Sequence, residues 1–124
     1  MLAGLPYKAW LDGLSQERLA CQEKLGRFNA LPPQAREEAA ALLKELFGKT
    51  RESVHVVPPL YCDYGTNIQV GENFFANYHF TVLDCAPVTI GDNVQIAPNV
   101  SIYTAGHPLH PDSRNSGYEY ALPI

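Results

Sequence analysis

The sequence predicts a mainly β fold: a β-helix of short stacked coils, entered through an N-terminal helical hairpin. Three observations carry that expectation. Residues 15 to 47 place apolar side chains at helical spacing. From Val54 onward that spacing disappears, and a stretch rich in Val, Ile, Phe, Tyr and Thr is broken every few positions by Gly, Asn, Asp or Pro, as short strands require. Within this second part a six-residue phase persists through Val70, Ala76, Val82, Val88, Val94, Val100 and Gly106, all small or β-branched.

In chain order, the first helix is expected over "SQERLACQEKLGRFNAL", with Ser15 as its cap and Leu19, Leu25 and Phe28 as its apolar stripe; "PPQ" after Leu31 ends it. A second helix runs from about Pro33 through "AREEAAALLKELF", with proline tolerated in the first turn and Gly48 just beyond the end. Leu42, Leu43, Leu46 and Phe47 form the face that packs on the rest of the protein. In the β part, Ile90, Ile96 and Ile102 add a second apolar column two residues after the first, so "IGDNVQ", "IAPNVS" and "IYTAGH" stack as successive hexapeptides. Ile68, Phe74 and Phe80 serve the less regular earlier part. A repeat this short cannot bury its apolar residue alone and does so by stacking on its neighbours. An antiparallel sandwich would explain the composition but not the six-residue phase.

Composition narrows the functional classes. A chain of 124 residues is long enough for one domain with a core, and a net charge of −4 supplies no basic stripe to track a phosphate backbone, so no nucleic-acid partner is expected. The chain opens with no charged-then-apolar leader, and no apolar run approaches the roughly 20 residues of a membrane span. A soluble, cytoplasmic protein without a membrane partner is expected. Cys21, Cys62 and Cys85 are odd in number and widely spaced without a CxxC pair, which predicts reduced thiols and neither a disulfide framework nor a structural zinc site.

The repeat "IGDNVQIAPNVSI" resembles that of the left-handed parallel β-helix acyltransferases. More specifically, "CDYGTNIQVGENFFANYHFTVLD" and "IGDNVQIAPNVSIYTAGHPLHPDSRNSGYEY" resemble the maltose and galactoside O-acetyltransferase family, and "LAGLPY" followed by two helices with "RFN" between them resembles its helical cap. The resemblance implies a cap over residues 1–53 and coils over residues 54–124, with an active-site loop near 103–120. It implies an enzyme that transfers acetyl from acetyl-CoA to a sugar hydroxyl, needs no metal, and works as a homotrimer with sites between neighbouring β-helices. Family members continue for several coils beyond the position of Ile124, so the chain is expected to be a truncated form lacking coils that line CoA. Galactoside-type members carry acidic residues at the positions of Ala9 and Cys85 and a Ser at that of Asp63; "CDYG" is closer to the maltose-type members.

The chemistry names the candidates. A sugar hydroxyl is a poor nucleophile near neutral pH and needs a base; an imidazole suits the task, and His107 matches the family's catalytic His within "TAGHP". Asn77 in "FFAN" matches the residue whose amide meets the developing oxyanion of the bound thioester, which makes it a donor-binding as well as a catalytic residue. Glu119 in "SGYEY" is the carboxylate expected to hold the other nitrogen of the imidazole. Arg18, Asp63, Phe75 and Asp84 are expected around the sugar. Two other readings stand beside this one. His79, His107 and His110 resemble, with a poor spacing, the histidine metal site of the γ-class carbonic anhydrases. The coils can also be a trimerising β-helix without activity.

Overall fold

The computed structural model describes residues 1–124. Strand β1 (Tyr7–Lys8) precedes helix α1 (Leu14–Asn29), which departs from expectation at two points. Gly13, in the left-handed region at φ 78°, takes the N-cap, so Ser15 lies inside the first turn, where its hydroxyl accepts a hydrogen bond from Arg18 Nη2 at 3.3 Å. Leu19 is 57% exposed, and the inward stripe is Cys21, Leu25 and Phe28. The compact thiol at position 21 sits where the helix meets the coil, its Sγ 3.6 Å from that of Cys62, and this sets the rotation of the helix. Helix α2 (Arg36–Leu46) begins three residues after the expected Pro33, because Ala35 holds a non-helical ψ of 55° and Pro32 turns tightly, its carbonyl accepting from Ala35 N–H at 3.0 Å. Its buried face is the expected one, Leu42, Leu43 and Leu46 followed by Phe47.

The coils begin with β2 (Val54–Val56), β3 (Leu60–Cys62), β4 (Ile68–Val70), β5 (Phe74–Ala76), β6 (Phe80–Leu83), β7 (Val88–Ile90), β8 (Gln95–Ile96) and β9 (Ser101–Tyr103). They stack as three parallel sheets, β2-β5-β8, β3-β6-β9 and β4-β7, which is the architecture of a parallel β-helix. After them come β10 (Ala105–Gly106), α3 (Pro111–Asn115) and β11 (Tyr118–Ala121). β11 lies between β1 and β10 in a separate antiparallel sheet, which ties the N-terminal segment to the far end of the chain.

The ladders correct the six-residue column. Val54 pairs with Phe74, Leu60 with Phe80, Ile68 with Val88 and Thr81 with Ser101, so one full coil takes 20 residues rather than three hexapeptides. Each early strand turns its first and third residues inward, and the unbroken phase from Val70 to Val100 arises because these paired inward positions interleave: Val70 stacks on Ile90 and Val82 on Ile102. Gly106 leaves the coil altogether. It pairs with Tyr120, whose ring lies where a Cβ on residue 106 would sit, 2.6 Å from Cζ. Strands start at residues 54, 60, 68, 74, 80 and 88, so two sides of the coil advance by six residues and the third by eight. The two additional residues widen the same corner on successive coils. That corner carries Asp63 and Tyr64 on one coil and Asp84 and Cys85 on the next.

The tight corners take left-handed backbone at Asn73 (φ 56°), His79 (φ 59°), Asn93 (φ 58°) and Asn99 (φ 62°), a conformation asparagine tolerates better than most residues. One core runs from the helices into the coils: Cys21, Leu25, Phe28, Leu43 and Leu46 join Leu60, Ile68, Phe74, Phe80 and Val82 in a single buried cluster. The Phe74 and Phe80 rings meet at 6.2 Å. Asn29 at the end of α1 acts as an extra rung of β3, donating from Nδ2 to Leu60 O and accepting at Oδ1 from Leu60 N–H, both at 2.9 Å. Ile90, Val94, Ile96, Val100 and Ile102 are only partly buried. No helix is long and apolar enough to cross a membrane.

Candidate active site

The site is built on the widened corner. Asp84 is completely buried, and its carboxylate is filled by backbone donors: Oδ1 accepts from Tyr64 N–H at 2.9 Å and Asp63 N–H at 3.1 Å, and Oδ2 from Asn67 N–H at 3.3 Å. Asn67 returns the contact, donating from Nδ2 to Asp84 O at 2.7 Å. One carboxylate thus holds the loop of the preceding coil. This corrects the expectation that Asp84 meets a sugar: all three of its contacts are internal and nothing outside the protein reaches it. Thr104 fixes the next layer, donating from Oγ1 to Leu83 O at 2.6 Å and accepting from Ala86 N–H at 3.0 Å.

The corner so held presents Asp63. Cys85 Sγ donates to Asp63 Oδ2 at 3.4 Å, and Arg18 on α1 donates from Nη1 to Tyr64 Oη at 2.8 Å while its guanidinium stands 5.8 Å from the Tyr64 ring centroid. Burial pushes the Asp63 carboxyl above the usual carboxylate range, against the opposing pull of the Cys85 hydrogen bond and the Arg18 charge. Burial likewise pushes the Cys85 thiol up to about 12, so near neutral pH it is a neutral donor and not a nucleophile. Tyr64 is raised by burial and held back by Arg18.

Beside Cys85 lies Tyr7, 8% exposed, in a small second core with Tyr64, Cys85, Ala86 and Ala121. Its phenol donates to Glu119 Oε2 at 3.0 Å, and burial, with Cys85 and Glu119 adjacent, raises its pKa so that it stays protonated. Tyr7 is paired with Glu119 in the β1–β11 ladder, and the β10–β11 ladder runs Ala105 to Ala121 and Gly106 to Tyr120. His107, the next residue and an exposed one, follows one position beyond the last pair of that ladder. Opposed residues of an antiparallel pair project from the same face, so Tyr7 and Glu119 share a face of the sheet, and continuing the β10–β11 register one position past its last pair brings the exposed His107 into line with them as a row.

The other candidates lie elsewhere. Phe75 is on β5 and stacks on His55 at 5.6 Å with the rings 20° apart. Asn77 follows β5, its Oδ1 capping the N–H of Tyr78 at 2.8 Å and its amide nitrogen left without a partner in the chain. Phe75 lies within β5 and Asn77 just after it, toward the corner with β6, whereas Asp63 is at the corner between β3 and β4, and no hydrogen bond joins the two groups. Within one chain, then, Arg18, Asp63 and Glu119 come together with His107 next in the row, while Asn77 and Phe75 do not join them. His79 is a corner residue, His107 leaves β10 and His110 caps α3; no three His, Cys, Asp or Glu side chains are grouped to hold a metal ion. Tyr7, Tyr64, Asn67 and Thr104 had no assigned part in the sequence. The signal for Tyr7 and Tyr64 was their place inside "LAGLPY" and "CDYG"; Asn67 and Thr104 gave none.

This parallel β-helix with a helical pair at its N-terminal end is the fold of solved hexapeptide-repeat acetyltransferases. Residues 1–51 match the maltose acetyltransferase hexapeptide capping motif. The chain is 42% identical to the galactoside O-acetyltransferase of Escherichia coli over 98% of its own length and 60% of that protein's. It superposes on the crystal structure of a maltose O-acetyltransferase from Clostridium difficile with a TM-score of 0.97 at 45% identity, covering 98% of this chain and 65% of that one. It also matches a hexapeptide-repeat acetyltransferase from Vibrio cholerae complexed with acetyl coenzyme A, with a TM-score of 0.85 at 32% identity over 100% of this chain and 67% of that one. The chain belongs to the maltose and galactoside O-acetyltransferase family. It spans about three fifths of the length of the curated relatives it matches.

Proposed function

We propose that the chain carries the acceptor side of an acetyl-CoA-dependent sugar O-acetyltransferase, with His107 as general base. What supports this reading is the Tyr7–Glu119 hydrogen bond beside the Asp63–Cys85 pair, with His107 one position beyond the β10–β11 ladder. His107 takes the proton of the sugar hydroxyl as its oxygen attacks the thioester carbonyl; the new C–O bond forms while the carbonyl pair moves to oxygen. Glu119 holds the imidazole so that one nitrogen lone pair faces the hydroxyl. The oxyanion needs a donor already in place, and the unpartnered amide of Asn77 is suited to it; losing such a donor costs on the order of 10²–10³ in kcat. Collapse of the intermediate breaks the C–S bond, and His107 returns its proton to the CoA thiolate.

Because Asn77 and Phe75 belong to a different side of the coil from Asp63, this reading takes a working site to need two copies. A homotrimer with sites between neighbouring coils supplies Asn77 and Phe75 from one subunit and His107, Glu119, Asp63 and Arg18 from the next. Asp63 and Arg18 then face the sugar hydroxyls, a maltose-like or galactoside acceptor fitting the names of the relatives. The same reading takes the coil as left-handed, residues 1–53 as its cap and residues 54–124 as coils, and the protein as cytoplasmic. Purified protein incubated with acetyl-CoA and a panel of sugars tests it: acetylated sugar formed by wild type and lost in His107→Ala supports the enzyme. An absence of turnover with every acceptor selects instead the second reading, a non-catalytic trimerising β-helix.

A further inference from the structure

We propose that Tyr7 is a positioning residue that holds the Glu119 carboxylate toward His107 and thereby selects the imidazole tautomer. The inference rests on the proposed role of His107 and adds a residue to it. Tyr7 is fixed from every side: its ring lies in the second core with Tyr64, Cys85, Ala86 and Ala121, and its backbone is laddered to Glu119 itself. From that anchored ring the phenol donates to Glu119 Oε2 at 3.0 Å. The carboxylate's other oxygen, Oε1, has no partner within the chain, and His107 comes next along the row. A carboxylate with one oxygen pinned by a rigid donor presents the second in a defined direction, whereas an unpinned glutamate on a surface strand samples several rotamers.

The surroundings leave Tyr7 as the donor that does this. Asp63, at the corner after β3, accepts from Cys85, and its charge opposes that of Glu119. Cys85, from the corner after β6, donates to Asp63. Arg18 on α1 is directed to Tyr64 and Ser15. Lys8 and Tyr118 are paired with each other one position along, so they project from the opposite face of the sheet, where the Lys8 ammonium stands 5.0 Å from the Tyr118 ring centroid. Tyr120 is on that opposite face too, against Gly106. At neutral pH the buried phenol stays protonated, so the donor is always present.

The test reads the imidazole directly and does not depend on turnover. Ring-nitrogen NMR of the full chain at mildly alkaline pH, with His107→Gln to assign the signal, is compared between wild type, Tyr7→Phe and Glu119→Gln. Wild type is expected to show His107 with its proton on the nitrogen facing Glu119; both variants are expected to shift its two nitrogens toward the mixture of a free imidazole. In the acetyl-transfer assay Tyr7→Phe is expected to lower kcat about tenfold, in the range for residues supporting a site from behind, with the acceptor KM within about twofold. Identical His107 ring signals in folded wild type and Tyr7→Phe overturn the inference, whatever the rates. If the signals move as expected but no form of the protein transfers acetyl, the positioning role stands and the proposed function fails.

Discussion

Replacing Asp84 by alanine tests how the site is held. The substitution leaves three backbone N–H groups, those of Asp63, Tyr64 and Asn67, without their acceptor in a place closed to solvent. A hydrogen bond to a charged group contributes about 1.5–3 kcal/mol, so the two shorter contacts and the longer third together are worth roughly 4 kcal/mol. The carboxylate is itself costly to bury, which its raised pKa reports, and removing it returns part of that cost. The net loss is about 3 kcal/mol, a large share of the 5–15 kcal/mol that holds a domain folded. With an unfolding entropy of about 2.1 cal/mol/K per residue, each kcal/mol moves Tm by about 4 °C in a chain this long, giving a drop of about 12 °C. Urea unfolding should show a lower midpoint with an unchanged slope. A variant within about 1 kcal/mol of wild type would refute the reasoning, because the corner would then be holding itself without the carboxylate.

Three further outcomes follow from particular contacts. Asp63 has its folded-state pKa raised above 3.8, so the folded chain binds that proton more tightly than the unfolded one, and stability falls as pH rises from 3.8 through the folded value. Asp63→Asn should therefore be more stable than wild type at neutral pH, with the gap closing below pH 3.8; a constant gap across the titration contradicts the burial account. Asn29→Leu removes both side-chain bonds to Leu60 and should cost about 2 kcal/mol in chemical denaturation, against almost nothing if α1 is held by its apolar stripe alone. Gly65→Ala places a Cβ 2.6 Å from Leu46 O at a residue with φ 74°, so it should lower Tm by several degrees; a neutral result would mean the corner after β3 can shift freely.

Much of the architecture was legible in the sequence because a β-helix writes its stacking into inward positions: Ile68, Phe74, Phe80, Val70, Ala76, Val82 and Val88 are all buried. The coil length was not, because two inward residues per strand make a 20-residue repeat look like an unbroken run of sixes. The helix register was missed at Leu19, since composition cannot say that a thiol, not a leucine, meets the coil. In the site, Arg18 and Glu119 lie near enough to Asp63 to act on its charge, whereas Asp84 is internal. A carboxylate read from sequence does not reveal whether its oxygens face solvent or three amides of the preceding coil. Tyr7 stayed hidden for a related reason: its partner Glu119 lies more than a hundred residues away, and only the antiparallel closure of β1 on β11 joins them.

The central claim is that His107, at the surface end of the Tyr7–Glu119 row, is the base for acetyl transfer to a sugar. The most direct measurement is acetyl transfer from acetyl-CoA to a panel of mono- and disaccharides by wild type and His107→Ala, followed by release of free CoA thiol and by mass of the product. The account predicts acetylated sugar from wild type and a rate at least about 10²-fold lower in the variant, the span expected for loss of a general base. Equal rates in the two proteins would contradict it.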